Sequence, residues 1–118
     1  MLVMTSNDVP GFEIAAVYGE VFGLTVRAMT LGTAFSAGMR ALSGGEVPEM
    51  SRLLVESRNE AMGRMIELAK SRGANAVVAM RFDTGTFGQF TEVCAYGTAV
   101  WVAPVTDFAK ENFKKLVE

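Results

Sequence analysis

The chain has 118 residues, 50 % of them hydrophobic and 20 % charged, with a formal net charge of −2. That charge offers no positive field to a nucleic-acid backbone, and the apolar share is high for one small domain, which points to apolar surface shared between subunits. With no histidine and one cysteine, the chain excludes a histidine-dependent triad, a Cys/His zinc cage within one subunit and an internal disulfide.

Leu2 to Thr5 reads as a brief edge strand, closed by Ser6, Asn7 and Asp8 and by a turn at Pro10-Gly11. Met1 to Thr5 lacks a basic leader region, and no apolar run reaches membrane length, so a soluble cytoplasmic protein without membrane or nucleic-acid partners is expected. Phe12 to Met29 is strand-like but interrupted by Gly19 and Gly23, which predicts one long bent strand or two short ones, the glycines marking bulges or bends. Between Leu31 and Gly45, Phe35, Met39 and Leu42 recur at helical spacing. This predicts a short helix from about Thr33, stopped by Gly44-Gly45.

Pro48 fits the first turn of a second helix running to about Arg72, with Glu49 near its positive end and Gly73 as its stop. Leu54, Ala61, Met65 and Leu68 form its apolar stripe, widened by Leu53, Met62, Ile66 and Ala69. Arg52, Glu56, Glu60, Glu67 and Lys70 face elsewhere, so this helix should cover a sheet. Glu60 precedes Arg64 by one helical repeat in the favourable order, a pair worth about 0.2–0.5 kcal/mol.

The stretch from Gly73 to Val102 reads as a β-hairpin with arms Ala76 to Phe82 and Phe90 to Val102 and a connection from Asp83 to Gln89. Alternation puts Ala76, Val78, Met80 and Phe82 on one face and Val77, Ala79, Arg81 and Asp83 on the other. The second arm separates Thr91, Val93, Ala95, Ala99 and Trp101 from Glu92, Cys94, Tyr96, Thr98 and Val100. A loop centred on Thr86 and Phe87 would set Arg81 opposite Glu92 and Cys94 opposite Ala79. The uniformly apolar face belongs under the second helix; the mixed face suits a subunit contact. After Pro104 a terminal helix is predicted, capped at Thr106 and docked through Phe108, Ala109, Phe113, Leu116 and Val117 onto the body or onto a neighbour.

The chemistry-bearing residues each carry two readings. Cys94 is either a ligand for a soft metal, completed by other copies of the chain, or a small hydrophobe packed between strands. Arg81, Asp83 and Glu92, with Tyr96 beside them, either line a ligand site or form a cross-strand ion pair and a turn-capping aspartate. Met62, Met65 and Met80 fall on predicted core faces, where packing explains them better than copper(I) handling. Gly19, Gly23 and Gly32 make no phosphate-binding loop, and Lys114-Lys115, among acidic neighbours, reads as a solvated face. No catalytic constellation emerges and no cofactor is expected.

The run GGEVPEMSRLLVESRNEAMGRMIELAKSRGANAVVAMRFDT followed by EVCAYGTAV, with TSNDVPGFEI upstream, resembles the YbjQ-like family, which carries a heavy-metal-binding label. The ordered combination GANAVV, RFDT and AYGTAV carries the resemblance, which covers residues 1–103 and leaves 104–118 as a C-terminal helical extension. It implies an α+β subunit of dodecin-like character, with two helices covering one side of a strongly bent antiparallel sheet, assembled into a homopentameric ring without an assigned role. The function expected is a non-enzymatic homo-oligomeric scaffold or small-ligand-binding module with pockets at subunit junctions. The alternative is soft-metal, selenium or oxyanion binding through Cys94 and its polar neighbours. The metal label transfers poorly, because the chain has no paired cysteines and lacks the cysteine-rich loop of selenium-binding relatives.

Overall fold

A computed structural model of the chain describes residues 1–28 and 48–118. Within them lie β1 (Leu2–Val3), β2 (Phe12–Ala28), α1 (Pro48–Ser71), β3 (Ala76–Phe87), β4 (Phe90–Pro104) and α2 (Asp107–Val117). The helix expected between Leu31 and Gly45 falls outside the described residues. The strands form one sheet in the order β1-β3-β4-β2. β1 runs parallel to β3, and the other pairings are antiparallel, so the architecture is α+β as expected but the sheet is mixed. The N-terminal arm causes the difference by running alongside β3: Met4 N–H donates to the Val77 carbonyl (2.8 Å), and Met80 and Ala79 N–H donate to the carbonyls of Met4 (3.0 Å) and Ser6 (2.8 Å).

β2 is a single long strand, bent by register shifts between Ile14 and Ala16 and between Val17 and Gly19, where Gly19 takes a φ of 97°. Gly23 does not mark a bend. A Cβ there would overlap the Ala61 carbonyl oxygen and the Met65 amide nitrogen, so this glycine lets the α1 backbone settle directly onto the strand. α1 meets it with a ridge of small residues around one long one, since its buried positions are Ser57, Ala61, Met65 and Ala69. The expected stripe holds at Ala61, Met65 and Ala69 but not at its start: Leu54 remains 37 % exposed, while Ser57 is buried and its carbonyl accepts from the Thr25 hydroxyl at 3.3 Å. Gly73 ends the helix as predicted, with φ 90° and Ala74 N–H closing back on the Ala69 carbonyl at 3.1 Å.

The sheet has a core on each face. Under α1 lie Val21, Ala61, Met65, Ala69, Val77, Met80, Val93, Ala95 and Ala99. Val9, Ala76, Val78, Val100 and Val102 pack with Leu2, Met4 and Phe12 in the second cluster. The strict alternation read for β3 therefore fails at its base, because Val77 joins Met80 while Val78 does not. The cause is an extra residue between Val78 and Arg81, marked by Ala79 at φ 54°. Gly97 faces this bulge, and a Cβ on it would crowd Val77 Cγ1 at 2.7 Å and the Val78 carbonyl at 3.0 Å. Buried Asn75 completes the base, its amide donating to the Val102 carbonyl at 2.9 Å and accepting from Val102 N–H at 2.8 Å.

α2 is capped by Thr106, whose hydroxyl oxygen accepts from Ala109 N–H at 3.2 Å. It packs on its own subunit: Ala109 is buried, the Phe113 ring lies 6.2 Å from that of Phe12, and the Met1 ammonium donates to the Val117 carbonyl at 2.7 Å. Phe108, expected to dock, is 72 % exposed. The molecule measures 54 × 25 × 20 Å with a radius of gyration of 18.0 Å, against about 13.5 Å for a compact domain of this length. Among the described residues no helix is long and apolar enough to cross a membrane.

Candidate functional site

The distal half of the hairpin is longer than the sequence suggests. β3 continues through most of the stretch read as a connection, and the turn is the pair Gly88-Gln89, with Gly88 at φ 59°. Moving the turn towards the C-terminus shifts every cross-strand partner. Arg81 lies opposite Tyr96, Asp83 opposite Cys94 and Gly85 opposite Glu92. The expected Arg81–Glu92 pair and the Cys94–Ala79 pairing are therefore absent. Arg81 instead ties down the N-terminal arm, its Nη1 donating to the carbonyls of Thr5 at 2.7 Å and Met80 at 2.8 Å.

The facing of these residues was legible even though their partners were not. Residues directly opposite in a sheet project from the same face, and β2 extends each row. Phe22 aligns with Tyr96 and Arg81, Leu24 with Cys94 and Asp83, and Val26 with Glu92 and Gly85. Arg81, Asp83, Glu92, Cys94 and Tyr96 thus share one face, opposite the buried row of Val21, Gly23, Thr25, Val93 and Ala95 beneath α1. That face is greasy along β2: Phe22 is 52 % and Val26 56 % exposed, with Leu24 and Tyr96 also open.

Cys94 is half-buried in this face, its Sγ 3.9 Å from the Ala95 carbonyl oxygen. Burial, then the negative charges of Glu92, Asp83 and Glu20, push its thiol above the ordinary range. Both causes favour the protonated thiol over the thiolate. Among the described residues no group of three His, Cys, Asp or Glu side chains is arranged to hold a metal within one chain.

Among the described residues, two cavities lie on the opposite, α1-covered side, and none of the five candidate residues lines either. One of about 390 Å³ opens where α1 begins over the hairpin tip and is lined by Met50, Leu54, Thr84, Gly85, Thr86 and Thr91. The other, of about 240 Å³, is lined by Thr25, Val26, Arg27, Glu60 and Arg64. The only sequence signal for the second was the Glu60–Arg64 helical pair, which forms at 2.6 Å. The alignment of Arg27 with it depends on the packing angle of strand and helix.

Comparison with known proteins follows the same outline. A family model described as "Putative heavy-metal-binding", the YbjQ model, matches residues 1–103. A UPF0145 protein of Mycobacteroides abscessus is 52 % identical over 106 residues, covering 89 % of this chain and 99 % of that protein. A UPF0145 protein of Streptomyces coelicolor is 56 % identical over 104 residues, 87 % of this chain and 98 % of its own. The crystal structure of a protein of unknown function of the DUF74 family from Pediococcus pentosaceus superposes with a TM-score of 0.59 at 15 % identity, covering 87 % and 98 % of the two chains. That likeness concerns the fold alone.

Proposed function

Because this chain belongs to the YbjQ family, whose relatives carry no assigned activity, we propose that it is a non-enzymatic cytoplasmic module that works as a closed homo-oligomer. The open sheet face is the observation that carries this reading. Phe22, Leu24, Val26 and Tyr96 lie together in consecutive rows with no element of the described subunit covering them. The accessible surface, 7317 Å², exceeds the roughly 6,200 Å² expected for a monomer of this mass by more than the about 800 Å² that one partner buries in a standard interface.

In this proposal the distal face of one subunit meets a different surface of the next, a head-to-tail contact that closes into a ring, and the family resemblance sets the number at five. Arg81, Asp83, Glu92 and Tyr96 then border the junction, where symmetry-related copies converge and a small ligand is held. Native mass spectrometry and sedimentation velocity at micromolar protomer test it. The wild type should run as one closed oligomer, and Leu24→Asp as a smaller species with unchanged far-ultraviolet circular dichroism. A wild type that stays a monomer across that range removes the proposal.

A second reading, a soft cation at the same junction, draws on the surroundings of Cys94. Asp83 stands directly across from it and Glu92 one row away, so the site's charge suits a cation and opposes selenite or another oxyanion. Several copies would supply the thiolates that one chain lacks. Cadmium retained in stoichiometric amount by the oligomer and lost in Cys94→Ser is the expected result; equal retention by both refutes it.

A further inference from the structure

We infer that the cleft between the C-terminal part of β2 and the middle of α1 binds a small oxyanion group of the phosphate type. Arg27 from the strand and Arg64 from the helix converge on a single carboxylate, that of Glu60. Each guanidinium takes a different oxygen, with Arg64 Nη2 donating to Glu60 Oε1 at 2.6 Å and Arg27 Nη2 donating to Oε2. Arg64 Nη1 also donates to the Leu24 carbonyl at 2.5 Å, so this arginine is held in place by the strand.

Two cations share one anion, which leaves the cleft with a single excess positive charge. Arg27 Nε is buried and has no hydrogen-bond partner among the described residues. A buried guanidinium N–H without an acceptor is costly enough that native structures supply one, from protein, water or ligand. The cleft that Arg27, Glu60 and Arg64 line has a volume of about 240 Å³, enough for an oxyanion head and a few attached atoms. A clamp joining helix to strand accounts for the Glu60 contacts. It accounts for neither the surplus charge nor the idle donor, whereas a planar guanidinium with a free edge is the usual partner of phosphate oxygens.

The two readings give different outcomes for one substitution. If Glu60 fills the place of an anion, Glu60→Gln removes a competitor and strengthens oxyanion binding; if it only clamps, the same change creates no binding. The experiment titrates inorganic phosphate, and in parallel glycerol 3-phosphate, into the full-length protein by calorimetry, with sodium chloride of equal ionic strength as reference. Saturable phosphate-group binding is expected in the wild type, tightened at least threefold in Glu60→Gln. Arg27→Lys, which keeps the charge but deletes Nε, and Arg64→Lys, at a half-exposed position, should each weaken it at least tenfold. The stronger of the two ligands identifies a free anion or an ester head. No saturable binding of either by wild type and Glu60→Gln, or binding indifferent to both lysine substitutions, overturns the inference.

Discussion

Replacing Gly23 by alanine tests how closely α1 lies on the sheet. The new Cβ would be 2.8 Å from Arg64 Cβ and would overlap two backbone atoms, the Ala61 carbonyl oxygen and the Met65 amide nitrogen. A rotamer change cannot relieve contacts with backbone, so the helix must retreat by about 1.4 Å to reach an ordinary separation of 3.4 Å. A gap of that width forfeits at least about half of the dispersion well of each atom pair it opens. Val21 and Met65, both fully buried where helix and strand meet, lose most. At about 1.5–3 kcal/mol for each buried side chain, and with the strain of an overpacked core added, the cost is about 3 kcal/mol. With an unfolding entropy near 2.1 cal/mol/K per residue, the thermal midpoint should fall by about 12 °C.

Scanning calorimetry at fixed protomer concentration measures it. Gly63→Ala is the internal control: Gly63 is exposed in the same helix and an added Cβ meets nothing within 4 Å, so that change should stabilise by about 0.5–1 kcal/mol. A Gly23→Ala midpoint within 2–3 °C of wild type, or a loss equal in the two variants, would refute the reasoning.

Asn75→Ala should cost about 3 kcal/mol in urea unfolding, because it orphans the buried N–H and carbonyl of Val102, each worth about 1–3 kcal/mol; a loss under 1 kcal/mol would show that water replaces the amide. Cys94 should react with maleimide at pH 8 more slowly than an ordinary thiol, and the Asp83→Asn, Glu92→Gln double variant should react faster, because removing negative charge lowers the thiol pKa and raises the thiolate fraction. An unchanged rate in the double variant would assign the protection to burial alone.

What could be read from residue order was whatever depends on local chemistry. Gly73 and Thr106 terminate and cap their helices through their own backbone and hydroxyl groups, and both were legible. The alternation of β4 is local too, so Glu92, Cys94 and Tyr96 were placed on their true common face. The cross-strand partners were not, because a hairpin's register follows from its turn, and Gly88-Gln89 competed with several neighbouring pairs in a glycine- and threonine-rich stretch. The bulge at Ala79 left no trace at its own position; the sign of it was Gly97, distant in sequence and directly across the sheet. Gly23 gave a true signal that was assigned the wrong cause, since a glycine kept for a helix's approach looks like one kept for a bend. Arg27 was silent because its partners, Glu60 and Arg64, arrive from another element.

The two ends of the sheet's outer face differ in ownership. At the base, Val78, Val100 and Val102 are sealed by the molecule's own Leu2, Met4, Val9 and Phe12, and Phe12 is backed by Phe113. Towards the turn, the same surface carries Phe22, Leu24 and Val26 with none of the described residues of its own chain above them. In the proposed oligomer, coming apart and melting would therefore be separate events. If that assembly forms, dilution or a charge at the unsealed end should release individual molecules that keep their shape, since the contacts that hold each one upright lie within the subunit.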